Sequence, residues 1–335
     1  MIRVAVDAMG GDDAPAVPVA AAGLALKTLP DDVQVQLVGQ STAIDAELTR
    51  QGIGAGKRLE IVDAPEVIGM AEKPLQAVRT KRLSSVAVGL GLQKAGRSDA
   101  FISAGNTGAV MAASTLILKL YPGFDRPAIG TPFPTYDKTV LVLDAGANVD
   151  CSPQELLGFA RLGVQYARDI FRRPDPVVGL LNIGEEEEKG NAAAKEAYRL
   201  LSESGLAFVG NIEGRDILRG RCERGAFDVV VCDGFVGNVL LKFYESVAQL
   251  FHRLVDRELG GEVAGGPAMK RIWQVLDYAQ YGGAPLLGVQ GVSIISHGRS
   301  SPEAIRAAIN VAADAVRHKL VQHLAREFQA EGAAR

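Results

Sequence analysis

Cysteine is scarce in this 335-residue chain: Cys151, Cys222 and Cys232 are the only three. Their spacing fits neither a disulfide framework nor a zinc site, and Cys232, ending an apolar run, reads as a small buried side chain. Histidine is nearly as rare. Of four, His252, His318 and His323 fall on predicted helices and only His297 falls in a loop. No Gly-x-Ser-x-Gly elbow, His-Glu-x-x-His pair, Gly-Lys-Ser/Thr phosphate loop or spaced dinucleotide fingerprint occurs. Serine hydrolase, zinc peptidase and P-loop chemistries are thereby excluded, and nucleotide binding has little support. Charge is nearly balanced at −3, so wholesale nucleic-acid binding is not expected and an acidic partner must meet a local basic patch. No uninterrupted apolar run is long enough to span a bilayer, and the chain opens on a strand pattern rather than a signal peptide, so a cytoplasmic protein is expected.

Glycine, by contrast, is abundant: 38 residues, about 11% against roughly 7% in average proteins. Its placement is regular. Short apolar strands run into loops of Gly, Asn, Asp and Ser at Val4-Ala5-Val6 into Asp7 to Asp12, Phe101-Ile102 into Ser103 to Gly108, and Val140–Leu143 into Asp144 to Asn148. The same happens at Gly179–Leu181 into Asn182 to Glu185, Asp228–Cys232 into Asp233 to Asn238, and Val292–Ile295 into Ser296 to Gly298. Strands alternate with helices throughout, which predicts an α/β fold with a mostly parallel sheet covered by helices, either one catalytic domain over residues 1–335 or two lobes. Strand ends of a parallel sheet share an edge, so these loops are expected to converge on one crevice, where backbone amides and helix N-termini hold an anion.

Helices are predicted over Ala14–Leu29, Thr42–Gln51, Pro74–Ala95, Ala109–Leu120, Gln154–Phe171, Asn191–Ser204 and Ser301–Ala330. The four prolines between Tyr121 and Tyr136 predict a surface crossing. Residues 239–281 break the alternation: Val239–Leu259 and Met269–Tyr281 read as two helices without an intervening strand, a projecting hairpin carrying Trp273 and Tyr278. Its stripe of Val247, Leu250, Phe251, Leu254 and Val255 suits dimer packing, and its tip, at Leu259 and Val263, suits lipid contact.

The shortage of conventional catalytic groups points to a reaction whose nucleophile arrives with the substrate, leaving the protein to position reactants and stabilise charge. The carboxylates Asp7, Asp12, Asp144 and Asp233 stand at strand ends; a metal site is conceivable, but capping of the next helix is the cheaper reading. Glu185 to Glu188 read as an acidic helix start, with Lys189 beside them as a lone cation near a strand-end loop. Lys73, Arg79, Lys81 and Arg82 concentrate positive charge, either as a solvated helix face or as a dock for an acidic protein.

Together, Val6-Asp7-Ala8-Met9-Gly10-Gly11-Asp12, Val78-Arg79-Thr80-Lys81, Ser103-Ala104-Gly105-Asn106-Thr107-Gly108-Ala109, Asp144-Ala145-Gly146-Ala147-Asn148, Asn182-Ile183-Gly184-Glu185-Glu186 and Asp233-Gly234-Phe235-Val236-Gly237-Asn238 resemble the signature segments of the phosphate acyltransferases of bacterial phospholipid synthesis, the PlsX family. Gly283 to Gly288 and His297-Gly298 fit the same pattern. The resemblance implies transfer of a fatty acyl group from acyl carrier protein to inorganic phosphate, without a cofactor or metal. It also implies a fold related to the isocitrate and isopropylmalate dehydrogenases and to phosphotransacetylase, a homodimer, and association with the inner face of the membrane. The product is expected to feed a glycerol-3-phosphate acyltransferase. On this reading Gly10, Gly11, Asp12, Ser103 and Thr107 hold phosphate, and Asn106, Asn148, Lys189, Asn238 and His297 are the catalytic candidates. Arg79, Lys81 and Arg82 dock the carrier protein. Rival readings are a phosphotransacetylase-like enzyme using acyl-CoA, an NAD-dependent decarboxylating dehydrogenase and a non-catalytic membrane scaffold.

Overall fold

The computed structural model describes residues 1–54, 56–276 and 281–332. The chain divides into two compact units, one of Met1–Pro127 with Tyr281–Arg335 and one of Ala128–Gln280.

In the first unit the strands lie in the order Leu59–Asp63, Val33–Gly39, Ile2–Asp7, Ala100–Ser103, Ser293–Ile295, Ala284–Leu287. All neighbours but the last pair are parallel. Val4 pairs with Val35 on one side and Ala100 on the other. Val4, Ala5 and Val6 are all buried, the unbroken apolar run expected of a strand covered on both faces. Helices Ala16–Thr28, Ser85–Lys94, Thr107–Leu118 and Pro302–Arg317 supply the cover.

The second unit has its own sheet, in the order Thr131–Pro134, Thr139–Leu143, Val229–Val231, Val178–Leu181, Phe208–Ile212, antiparallel only at its first pair. The strand-end loops therefore belong to two sheets: Asp7, Ser103 and Ser296 follow strands of the first unit, and Asp144, Asn182 and Asp233 follow strands of the second. The expectation of one shared edge is corrected accordingly. A single chain of alternating elements does not reveal where one sheet stops and another starts.

Other differences have local causes. The proline-rich segment runs over the surface only in its first part, at Pro122, Gly123, Asp125 and Arg126; Thr131–Pro134 is a buried strand with Phe133 in the core. Pro132 and Pro134 are tolerated because this strand lies at the edge of its sheet, where a missing donor disrupts no central ladder. The helix expected over Pro74–Ala95 is two, Pro74–Thr80 and Ser85–Lys94. Lys81 leaves helical backbone angles, and the Ser84 side chain caps the second helix by accepting from Ala87 N. The C-terminal helix is likewise broken into Pro302–Arg317 and Leu320–Gly332 by Lys319, at φ 58°. Glu185 to Glu188 lie in bends and turns, not in a helix; the helix Ala192–Glu203 begins after them, capped by Asn191.

The helical pair is Gly234–Ala264, interrupted at Gly260, and Pro267–Leu276. The second doubles back along the first. Tyr244 Oη donates to Leu276 O at 2.9 Å, and Trp273 packs on Phe251 and His252. Tyr278, expected on the second helix, lies outside the described residues.

Candidate functional site

In the first unit a buried carboxylate organises the strand-end loops. Asp7, the last residue of its strand, accepts from Ser103 Oγ at 2.7 Å and from Met9 N at 3.0 Å. Ser103 Oγ in turn accepts from Gly105 N at 3.0 Å. Burial raises the Asp7 pKa above the carboxylate range, and the hydroxyls of Ser85 and Ser103 partly offset that rise. Gly10 lies so close to Gly105 N that an added Cβ would come within 2.8 Å of it. Gly11 has φ 111°, a conformation that favours glycine, with Gly298 O and Ala104 beside it. Asp12 N donates to Gly298 O at 2.8 Å, and Ser296 N to Ser103 O at 2.9 Å. Three loops distant in sequence are thus stitched together: Gly10 to Asp12, Ser103 to Thr107, and Ser296 to Gly298.

Within this cluster the sequence-predicted residues divide by what their polar atoms already do. Asn106 caps the helix Thr107–Leu118 by accepting from Ala109 N, and its amide donates to the carbonyls of Met70 and Glu72. Ser103 is committed to Asp7, and the Asp12 amide to Gly298. These three hold the loops in place. The Gly10 amide donates to the Asp7 carboxylate. Thr107 is exposed at the start of its helix, whose first-turn amides have no intrahelical acceptor. His297 accepts from Arg299 N at its Nδ1, 3.2 Å, which leaves Nε2 as the outward nitrogen. Arg299 is a candidate missed in the sequence, although a cation two residues beyond His297 in a strand-end loop was a signal that could have found it.

The second unit repeats the arrangement. Asp144, fully buried at the end of its strand, accepts from Ile129 N (2.9 Å), Ala147 N (3.2 Å), Asn148 N (2.6 Å) and Asn148 Nδ2 (3.0 Å). Burial raises its pKa and these donors hold the rise in check. Asp144 caps no helix; it shapes its own loop. Asp233 is the carboxylate that does cap, accepting from Phe235 N at 2.8 Å, and it also ties down Cys151 N at 2.8 Å. Asn238 is exposed on the first turns of the helix Gly234–Ala264, with its side chain against Gly146. Asn148 is buried on Asp144. Lys189 is half-exposed, with its ammonium 3.9 Å from Glu186.

Beside these loops lies a cavity of about 860 Å³, walled by Leu156, Leu180, Cys151 and Cys232 and rimmed by Val149, Ile183, Phe235 and Val236. Asn148, Lys189 and Asn238 are not among its lining residues. Burial pushes the Cys151 thiol up to about 12, and raises that of Cys232 further in the same direction. Both are protonated at neutral pH and serve as wall rather than nucleophile. Among the described residues no group of three His, Cys, Asp or Glu is placed to hold a metal ion.

Of the basic residues expected to dock an acidic partner, Lys81 is occupied: its ammonium donates to Val67 O at 2.7 Å and to Glu72 Oε1 at 2.5 Å. Arg79 and Arg82 are exposed. Leu259 and Val263 are both exposed on the helix Gly234–Ala264. No helix of the described residues is long and apolar enough to cross a membrane.

Comparison with known proteins gives a consistent picture. The family model described as fatty acid synthesis protein matches residues 2–323. The phosphate acyltransferase of Heliobacterium modesticaldum is 47% identical over 96% of this chain and 96% of its own. That of Nostoc punctiforme is 47% identical over 98% and 96%, and that of Salinibacter ruber 43% over 99% of each. Among solved structures, the EutD phosphotransacetylase from Staphylococcus aureus superposes with a TM-score of 0.63 at 16% identity, covering 94% of both chains. A putative 4-hydroxythreonine-4-phosphate dehydrogenase from Salmonella typhimurium reaches 0.52 at 14% identity over 94% of this chain and 99% of its own. Those two likenesses concern the fold alone.

Proposed function

Because the chain belongs to the fatty acid synthesis protein family and is a phosphate acyltransferase of fatty acid and phospholipid synthesis, we propose that its acyl donor is acyl carrier protein and that phosphate attacks the thioester directly. The observation that carries this reading is the loop cluster of the first unit. It gathers glycine backbone and the start of the helix Thr107–Leu118, where Asn106 takes the Ala109 amide, a setting that suits an oxyanion at the remaining first-turn amides.

Phosphate carries its own nucleophilic oxygen. A phosphate oxygen adds to the thioester carbonyl carbon, the C–S bond breaks, and the carrier thiolate leaves and takes a proton from solvent. A thiol of pKa about 8.5 is expelled without a strong general acid. The protein's part is then to hold phosphate and to offset the charge that develops on the carbonyl oxygen. The amides of Gly11 and Thr107 are our choice for the first task, with Gly10, Asp12, Ser103 and Asn106 fixing the loops. His297, and Asn238, Asn148 and Lys189 of the second unit, are the candidates for the second. Protonated thiols at Cys151 and Cys232 support a route without an acyl-enzyme.

We further propose a homodimer that docks carrier protein at Arg79 and Arg82, touches the membrane through Leu259 and Val263, and passes acyl phosphate to a glycerol-3-phosphate acyltransferase. The deciding experiment supplies purified protein with phosphate and either acyl carrier protein or CoA thioesters, and traps acyl phosphate with hydroxylamine. Product from the carrier thioester is expected. Product from CoA thioesters alone, or ping-pong kinetics with a covalent acyl-protein, would overturn the reading.

A further inference from the structure

The cavity of the second unit has a composition that narrows its occupant. Neither Lys nor Arg lines it, so no cationic side chain there meets the phosphates of a nucleotide or of CoA. Its polar side chains are already engaged. Asn182 donates to Lys189 O and accepts from Ile183 N, Asn191 accepts from Ala194 N, and Asp233 accepts from Phe235 and Cys151 amides. Apart from the exposed carboxylate of Asp150, most of the side chains left facing the space are apolar.

The rim is apolar as well, and open. Val149 is 58% exposed, Ile183 82%, Phe235 64% and Val236 44%. These four come from three separate strand-end segments, after Thr139–Leu143, after Val178–Leu181 and at the start of Gly234–Ala264. Scattered surface hydrophobics need no explanation, but four gathered around one concavity mark a place that something apolar covers. At about 860 Å³ the volume is that of a small-molecule site, roughly 300–1,000 Å³.

We propose that this cavity holds the aliphatic chain of the acyl donor, with Val149, Ile183, Phe235 and Val236 as its mouth and Leu156, Leu180, Cys151 and Cys232 as its floor. The inference rests on the acyl-transfer reading and adds to it the determinant of chain length. Burying two further methylenes strengthens binding roughly tenfold, so depth in this cavity translates directly into preference for longer chains.

The test fills the space from positions that are not fully buried. Ala193→Phe enters from the helix Ala192–Glu203 and Val236→Trp from the mouth. Two quantities are read: turnover of acyl thioesters of graded length, and binding of free palmitate by titration calorimetry, with thermal melting to verify folding. Tenfold or greater loss of kcat/KM for long chains, near-native rates for the shortest, and weakened palmitate binding are expected. Equal loss at every length, or native palmitate affinity in both folded variants, would overturn the assignment. Should the native protein form acyl phosphate while the variants show no length dependence, the cavity inference fails and the activity stands. If palmitate binds in a variant-sensitive way but no acyl phosphate forms, the cavity inference holds and the activity reading fails.

Discussion

Asp7 and Asp144 illustrate how a single side chain can set a whole loop. Asp7 ends its strand and Asp144 comes directly after Leu143; each is buried and turns its carboxylate onto backbone amides of the loop that follows. For Asp7 the consequence is testable through pH. Its folded pKa lies above its unfolded value because burial opposes ionisation. In acid both states are protonated and burial costs nothing; as pH rises through the unfolded pKa, the unfolded state ionises first and the native state loses stability. Asp7→Asn removes that titration. Its stability relative to the native protein should therefore improve as pH is raised from below the carboxylate range toward neutrality, read as the difference in urea midpoints. A difference that stays constant with pH would show that Asp7 does not titrate this way. Gly237 tests the equivalent packing in the second unit. A Cβ there meets the backbone carbonyl of Asp144, and backbone cannot rotate aside as a side chain can. Gly237→Ala should destabilise by about 1–3 kcal/mol, measured by chemical denaturation; a neutral effect would mean the loop shifts freely.

At the scale of elements, the break between Pro74–Thr80 and Ser85–Lys94 separates residues that look alike in sequence. Lys81 turns inward to Val67 and Glu72, whereas Arg79 and Arg82 stay exposed. Charge reversal at Arg79 and Arg82 should raise the apparent KM for acyl carrier protein several-fold at low salt and flatten its salt dependence, since exposed charges are screened over about 8 Å at physiological ionic strength. Lys81→Ala should instead lower thermal stability. Unchanged kinetics after the double reversal would move the dock elsewhere. The long helix Gly234–Ala264 carries a second element-scale prediction. Leu259 and Val263 flank its interruption at Gly260, so Leu259→Ser with Val263→Ser should abolish flotation with anionic liposomes; flotation that persists removes these residues from lipid contact.

For the molecule as a whole, Phe243, Val247, Leu250 and Leu254 leave a largely apolar stripe exposed on that same helix. If this stripe forms the proposed dimer, sedimentation of Val247→Glu with Leu254→Glu should show a monomer and the native protein a dimer; a dimer that persists in the variant would place the interface elsewhere. Much of the architecture was legible beforehand. Alternating apolar runs and glycine-rich loops announced an α/β fold and the exact segments that carry the strand-end loops, because burial on both faces of a parallel strand and tight strand-to-helix turns impose composition directly. The same local rules placed Asn191 at a helix start. What the chain could not announce was anything depending on partners distant in sequence: that the six loops belong to two sheets, that Pro132 and Pro134 sit on a buried edge strand, that Lys81, Ser103 and Asn106 spend their polar atoms on neighbouring loops, and that Val149, Ile183, Phe235 and Val236 surround one cavity. Periodicity and turn chemistry act over a few residues, so sequence alone determined the elements and the loop chemistry. Which loops meet, and which polar groups remain free to act, was decided by tertiary packing, because hydrogen bonds and burial join residues that no local pattern connects.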